Sequence, residues 1–404
     1  MRAVRTPEVD QLLHELTQPE GREDPYPRFD ALRRTAPVVL AEDGALVLTR
    51  YAECHAVLHD HSLGRPDNEE FFTALGLGNW KDLPALWTLN SSMLLANPPR
   101  HTRLRRLVSR SFTARRVQAL KESVAALVDD LVEGLADGGD FVEKLAFPLP
   151  VAVIGELLGV PEADRPGFQP LVRDWTRILD VFDLDALALA NEAATSLRAY
   201  LGDLVDERRR APQDDLLSAL VTEPGGDGEV LDREEAVTMA ALLFSAGFET
   251  TTHLLGNGLV ALLEHPDQAA LVRDDPAVVA TAAEELVRFD SSVQITNRVA
   301  LADTEVAGVP VAAGDRLVCY LGAANRDPDK FTDPDRLDVT RNEGGPLSFG
   351  GGIHYCLGAP LARLEVQLAL PRLLARHPHL RLDGTPQRRE GLTLRGYLSL
   401  PVAV

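Results

Sequence analysis

Cysteine is scarce in this chain: three residues in 404, at positions 54, 319 and 356, with no regular spacing. An odd, irregular set argues against a disulfide framework. No cysteine cluster and no G-x-G-x-x-G opening a helix are present, so the chain brings no iron–sulfur or flavin module of its own. There is no run of eighteen apolar residues and no signal-peptide core, and the first 25 residues are polar. A cytoplasmic protein without a membrane partner is therefore expected. Positive charge is in deficit: 41 Lys+Arg stand against 61 Asp+Glu, a formal net charge of −20. That balance disfavours nucleic acid and anionic membranes as partners. Linker-like tracts, repeats and low-complexity segments are missing too, so residues 1–404 are expected to form a single domain. The length and the 45% hydrophobic content suffice for a large core.

What is present is mostly helical periodicity. Apolar residues recur at helical spacing over 117–135, 188–209, 233–263, 276–289 and 361–375. Strand signals are short. Segments 38–40 and 45–48 flank Asp43-Gly44, which predicts a two-residue hairpin. A second β region covers 304–311 and 315–320, broken by Gly308 and Gly314, and a third lies within 392–402. Residues 224–229 form a Gly- and acid-rich loop before the longest helix. The expected fold class is mainly α with a small β-sheet region.

The most informative stretch is Phe349-Gly350-Gly351-Gly352-Ile353-His354-Tyr355-Cys356-Leu357-Gly358-Ala359-Pro360. Three glycines can adopt backbone angles closed to other residues and fold a loop tightly around a sulfur. Pro360 sits in the first turn of the following helix, where its missing N–H costs nothing. A helix N-terminus favours negative charge and lowers a thiol pKa. A thiolate presented this way suits a metal ligand. Cys54 and Cys319 read instead as small buried hydrophobes.

This stretch resembles the cytochrome P450 family, whose haem-ligand signature Phe-Gly-x-Gly-x-His-x-Cys-x-Gly is filled at every position. The resemblance implies a single-domain cytochrome P450 fold. Haem b (iron protoporphyrin IX) would lie between the long central helix and the helix after the cysteine loop, with Cys356 as the iron ligand. Phe349 and Gly358 belong to the same signature.

Three further motifs follow in the family's order. Ala246-Gly247-Phe248-Glu249-Thr250-Thr251 lies inside the longest helix. Small residues at Ala246 and Gly247 let a flat ligand approach the backbone, and Thr250 can bond the Ala246 carbonyl and loosen that turn. An acid beside an alcohol is a proton relay. The resemblance implies that Glu249 and Thr250 are the catalytic pair that delivers protons during oxygen activation. Glu285-Leu286-Val287-Arg288 matches the family's ExxR pattern, a buried ion-pair network supporting the cysteine loop, with its third partner open between Arg336 and Arg341. Haem carries two propionates, and burying them needs cationic donors. His101 and Arg105, four apart, match one propionate pattern, and Arg298 and His354 fill the other family positions. Arg103, Arg106, Arg110, Arg115 and Arg116 read as a solvated basic face able to attract an acidic electron donor.

Asn97 and Ser292 depart from the family pattern, standing where an acid and a proline are common. Substrate-facing residues are expected in 72–95, 175–187, 240–244, 293–296 and 396–398, with Trp80 and Trp87 either lining the pocket or packed in the core. The implied function is a haem-thiolate monooxygenase. It oxidises a small-molecule substrate with O2 and with electrons from an external ferredoxin and ferredoxin reductase, in secondary metabolism, as a monomer. Two other readings stay open: a P450-type enzyme for oxidative coupling or another non-hydroxylating oxidation, and a haem-binding module without turnover. The intact Glu249–Thr250 pair disfavours the second.

Overall fold

The computed structural model describes residues 2–66, 69–74, 76–179, 184–224 and 228–404. The chain divides into two compact units. The first comprises Met1–Pro66, Ala125–Ala146 and Thr250–Val404; the second comprises Asp67–Val124 and Phe147–Glu249. Helices dominate both, as the periodicity predicted. Among the described residues no helix is long and apolar enough to cross a membrane.

The first unit holds the sheets. Its largest has five strands: β1 (Val39–Leu40), β2 (Leu46–Leu48), β3 (Leu63–Gly64), β4 (Ile295–Ala300) and β5 (Arg316–Tyr320), in the order β1-β2-β5-β4-β3. β2 and β5 pair in parallel and the other neighbours are antiparallel. β4 escaped the sequence reading. Its apolar residues do not alternate cleanly, because the Thr296–Arg298 face serves charge rather than core. The predicted two-residue hairpin is a three-residue loop. Ala41 N–H donates to Ala45 O at 2.9 Å, and Gly44 takes the left-handed position at φ 82°. One core packs under the sheet: Leu48, Cys54, Val57, Leu317, Cys319, Leu321 and Leu347 are all buried. Leu347 lies two residues before Phe349, so the base of the cysteine loop is rooted in that core.

In the second unit the Leu184–Arg210 helix packs on the Phe168–Thr176 and Pro84–Ser91 helices. The helix expected over 117–135 is two helices, Ala114–Ala119 and Lys121–Glu133. The break falls at Leu120, whose N–H turns to Val117 O at 3.2 Å. That i→i+3 bond tightens the last turn without any Pro or Gly to announce it. The longest helix runs over Arg233–Glu264. The helix after the cysteine loop runs over Ala359–Arg376, with Gly358 as its N-cap and Pro360 in its first turn. Residues 225–227 of the predicted loop at 224–229, and residues 75 and 180–183 of the expected substrate walls, lie outside the described residues.

Candidate active site

The cysteine loop closes through its own backbone: Cys356 N–H donates to Phe349 O at 2.9 Å. Gly350 sits at φ 70°, a conformation that strains a side-chain-bearing residue. Gly351 and Gly352 are small for a different reason than the one expected from sequence. A Cβ on Gly351 would meet His59 Cε1 at 2.7 Å, and one on Gly352 would meet Leu58 O at 2.3 Å. Those glycines let the Tyr51–His59 helix seat against the loop. Of the three cysteines, Cys356 alone is exposed. Cys54 and Cys319 are buried as read, and burial, with Cys319 close by, pushes the Cys54 thiol well up.

Two side-chain systems on the Val279–Phe289 helix hold this loop. Arg288 donates to both Glu285 carboxylate oxygens, from Nε at 2.7 Å and from Nη2 at 2.8 Å. The third partner is Arg341, whose Nε reaches the same two oxygens at 3.2 and 3.1 Å. Arg336 enters with its main-chain carbonyl only, accepting from Arg288 and Arg341. Arg288 Nη1 also donates to Asn325 O at 2.8 Å. The Asn325 side chain then accepts from Leu347 N–H at 2.7 Å and donates to Ser348 Oγ at 2.8 Å. The network therefore ends one residue short of Phe349. Sequence reasoning missed Asn325, which belongs to no motif. In the second system Arg363 Nη2 donates to Glu284 at 3.1 Å while its guanidinium lies 4.6 Å over the Phe349 ring. The ring is thus fixed by a cation–π contact whose cation is itself anchored.

Arg298 lies on β4 and is buried, at 3% exposure. Its Nη1 donates to Asn297 O at 2.9 Å and to Thr296 Oγ1 at 3.4 Å. Among the described residues it has no carboxylate partner, and burial holds its pKa below the ordinary arginine value. A buried cation whose acceptors among the described residues are all neutral calls for an anion from elsewhere. His354 closes the short turn Gly352–His354 at the tip of the cysteine loop and is half-buried.

In the second unit His101 and Arg105 lie one turn apart on the Arg100–Ser111 helix; His101 is buried and Arg105 half-buried. The basic face expected around them is partly cancelled. Arg103 pairs with Glu235 at 2.6 Å and Glu229 at 3.1 Å, and Arg106 pairs with Glu229 at 3.1 Å. Only Arg110 and Arg115 remain exposed without an ion pair among the described residues. Trp80 is buried and Trp87 half-buried. They join Phe72 in an aromatic cluster with centroids 5.5 and 6.4 Å apart, and their indole N–H groups donate to Glu69 and Glu234.

The long helix carries the acid–alcohol pair. Phe244 and Phe248, one turn apart, are buried in a ring cluster with Phe147 and Phe168 at centroid distances of 4.7–5.7 Å. Ala246 and Thr250 lie roughly opposite, about 200° round the helix. In a stretch that is otherwise buried, Ala246 is exposed and Thr250 half-exposed, whereas Glu249 is buried at 7%. Two small, accessible side chains thus lie beside a buried carboxyl. Gly247 plays another part than expected: a Cβ there would meet Ile154 Cγ1 at 2.9 Å, so the missing side chain makes room for Ile154. The loosened turn is not a break, since the helix is continuous through it.

Glu365, on the helix after the cysteine loop, is a further group the sequence did not single out. It is 1% exposed and, among the described residues, neither carboxyl oxygen has a hydrogen-bond partner. Burial pushes its pKa well above the ordinary carboxyl range, which favours the neutral acid.

The chain matches the Cytochrome P450 family model over residues 273–394. It is 41% identical over 400 residues to the vitamin D(3) 25-hydroxylase of Pseudonocardia autotrophica, across 97% of this chain and 96% of that protein. The 6-deoxyerythronolide B hydroxylase of Saccharopolyspora erythraea is 41% identical over 395 residues, across 94% of this chain and 96% of its own length. Among solved structures, ligand-free CYP164A2 of Mycobacterium smegmatis matches with a TM-score of 0.87 at 38% identity, covering 98% of this chain and 100% of that one.

Proposed function

The chain belongs to the cytochrome P450 family, and from that premise we propose that residues 1–404 act as one catalytic domain in which Cys356 ligates haem iron and Glu249 and Thr250 supply protons. The enzyme is a monooxygenase of secondary metabolism with haem b as its cofactor. It acts on a small organic molecule and takes electrons from a redox partner. We assign a ferredoxin with its reductase as that partner.

The residues present fit the cofactor. Cys356 offers an exposed sulfur at a helix start, and Arg298 is a buried cation with no carboxylate partner among the described residues. Haem held by a thiolate supplies dioxygen binding and O–O bond cleavage. The chain's own residues do the rest. Cys356 donates electron density through its sulfur. Phe349, pinned by Arg363, and Gly358 keep the loop in one shape around that sulfur. By the family pattern, Arg298, His354, His101 and Arg105 are the residues that would neutralise the two propionates. Ala246 keeps its stretch of the long helix bare, and Gly247 secures that stretch against Ile154. The Thr250 hydroxyl hands on a proton that the sheltered Glu249 carboxyl replaces.

The observation that carries this reading is the complete cysteine loop with its only exposed thiol, braced through Glu285, Arg288, Arg341 and Asn325. The test is the absorption spectrum of the reduced carbon monoxide complex. A thiolate-type Soret band is expected in the wild type, in Cys54→Ser and in Cys319→Ser, and its loss in Cys356→Ser. A histidine-type band in the wild type overturns the assignment.

A further inference from the structure

We propose that Gly396 is a positioning residue for Thr250: its missing side chain lets the segment around it seat against the long helix, and that seat fixes the turn carrying the relay hydroxyl. The inference rests on the reading of Thr250 above and adds a residue that belongs to no motif. Gly396 falls in the 396–398 segment expected to face substrate, yet it is buried. A Cβ there would meet His253 Nδ1 at 2.2 Å, Cγ at 2.3 Å and Cβ at 2.4 Å. Gly396 is not among the glycines with positive φ, so space rather than backbone conformation requires it. His253 lies on the long helix three residues after Thr250, within about 60° of it round the axis. Gly396, His253 and Thr250 all belong to the first unit.

Rotation about its side-chain bonds can carry the His253 ring away from position 396, but not the His253 Cβ, which moves only with the helix backbone. Carbon atoms in contact stand about 3.5–4.0 Å apart, so a side chain at 396 forces the two backbones apart by roughly 1 Å. The segment around Gly396 is firmly anchored. Arg395 N–H donates to Ser292 O at 2.8 Å, and Gly396 O accepts from Arg389 N–H at 3.0 Å. The Arg395 guanidinium donates to Asp290 Oδ1 at 2.7 Å, Arg22 O at 2.7 Å and Glu23 O at 3.0 Å. One turn beyond His253 the helix is tied to the same frame: Asn257 Nδ2 donates to Arg395 O and to Asp290 O, both at 3.1 Å. With Asn257 as the fixed point, a displacement at His253 passes to the turn of Thr250. A misplacement of about 1 Å in catalytic geometry costs about 10²-fold in rate.

The test uses the haem-loaded protein and reads the infrared C–O stretch of its reduced carbon monoxide complex, which follows the field of the dipoles around the bound molecule. Carbon monoxide is the probe, and no substrate is needed. Wild type, Thr250→Ala, Gly396→Ala and the double variant Gly396→Ala with His253→Gly are compared. Thr250→Ala and Gly396→Ala are both expected to move the stretch off its wild-type position. The double variant is expected to restore it, because His253→Gly removes the Cβ that His253→Ala would keep. A wild-type stretch in Gly396→Ala, with only urea stability lowered, overturns the proposal, since Gly396 then merely packs. A double variant still shifted as far as Gly396→Ala overturns it too. If Gly396→Ala does not accumulate in haem-loaded form, Asn257→Ala decides. Loss of its two hydrogen bonds is expected to shift or broaden the stretch, and a wild-type band overturns the proposal. Thr250→Ala separates the two readings. An unmoved stretch there removes Thr250 from the relay and this inference with it, whereas a shift in Thr250→Ala but not in Gly396→Ala removes Gly396 alone.

Discussion

Glu365 offers a test in which the sign of a pH effect is fixed by one buried atom pair. The carboxyl is 1% exposed, its two oxygens have no hydrogen-bond partner among the described residues, and burial raises its pKa. In the unfolded chain a glutamate titrates near about 4.3. Between that value and the raised folded value, the native state holds a proton that the unfolded state releases. Its stabilising contribution is therefore fully present below pH ~4 and is lost as pH rises through the window. One proton of difference sets the slope at no more than about 1.4 kcal/mol per pH unit. Glu365→Gln removes the titration and keeps the shape. Burying an amide in place of an acid adds an offset of about 1–3 kcal/mol that does not depend on pH. The stability of Glu365→Gln relative to wild type is therefore expected to rise as pH climbs from about 4.3 toward the raised folded value, at up to that slope. Equilibrium urea unfolding of the two holoproteins at several pH values reads it. Infrared spectroscopy gives a direct check: a protonated carboxyl stretch in wild type at pH 7 that Glu365→Gln lacks. Parallel stability curves, or no such band, would refute the reasoning, because they would mean that Glu365 is charged and finds a partner.

Two further outcomes follow from the side-chain geometry. Arg341→Ala removes one partner of the buried Glu285 and is expected to cost about 3–5 kcal/mol, read as loss of haem-loaded protein on mild urea treatment; Arg336→Ala, which removes no side-chain contact of Glu285, is expected to behave as wild type. Thr250→Ala is expected to lower product formation by about 10²–10⁴ while NADPH consumption continues and peroxide accumulates, with the substrate-induced spin shift retained; coupling equal to wild type removes Thr250 from the relay.

Much of this protein is local, and local features are legible in a sequence. The cysteine loop is a contiguous run whose glycines, proline and following apolar period each have a short-range physical meaning. Helix periodicity placed the Arg233–Glu264 and Ala359–Arg376 helices to within a few residues. The i, i+4 spacing of Ala246 and Thr250 set them on one face before any coordinates.

What the sequence left open involves partners far apart along the chain. Arg336 and Arg341 are both basic and five residues apart; the backbone path turned one carbonyl and the other guanidinium toward Glu285. The space at Gly247 is claimed by Ile154, ninety-three positions earlier in the chain, a contact no spacing rule encodes. Arg103 and Arg106 lost their solvated charge to Glu229 and Glu235. The Glu365 pKa is pushed up because packing denies its carboxyl water and, among the described residues, a partner. Composition and periodicity set which residues can be helical, apolar or ligating. Burial and long-range pairing set which charges survive, because desolvation and Coulomb energy depend on neighbours that the fold alone assembles.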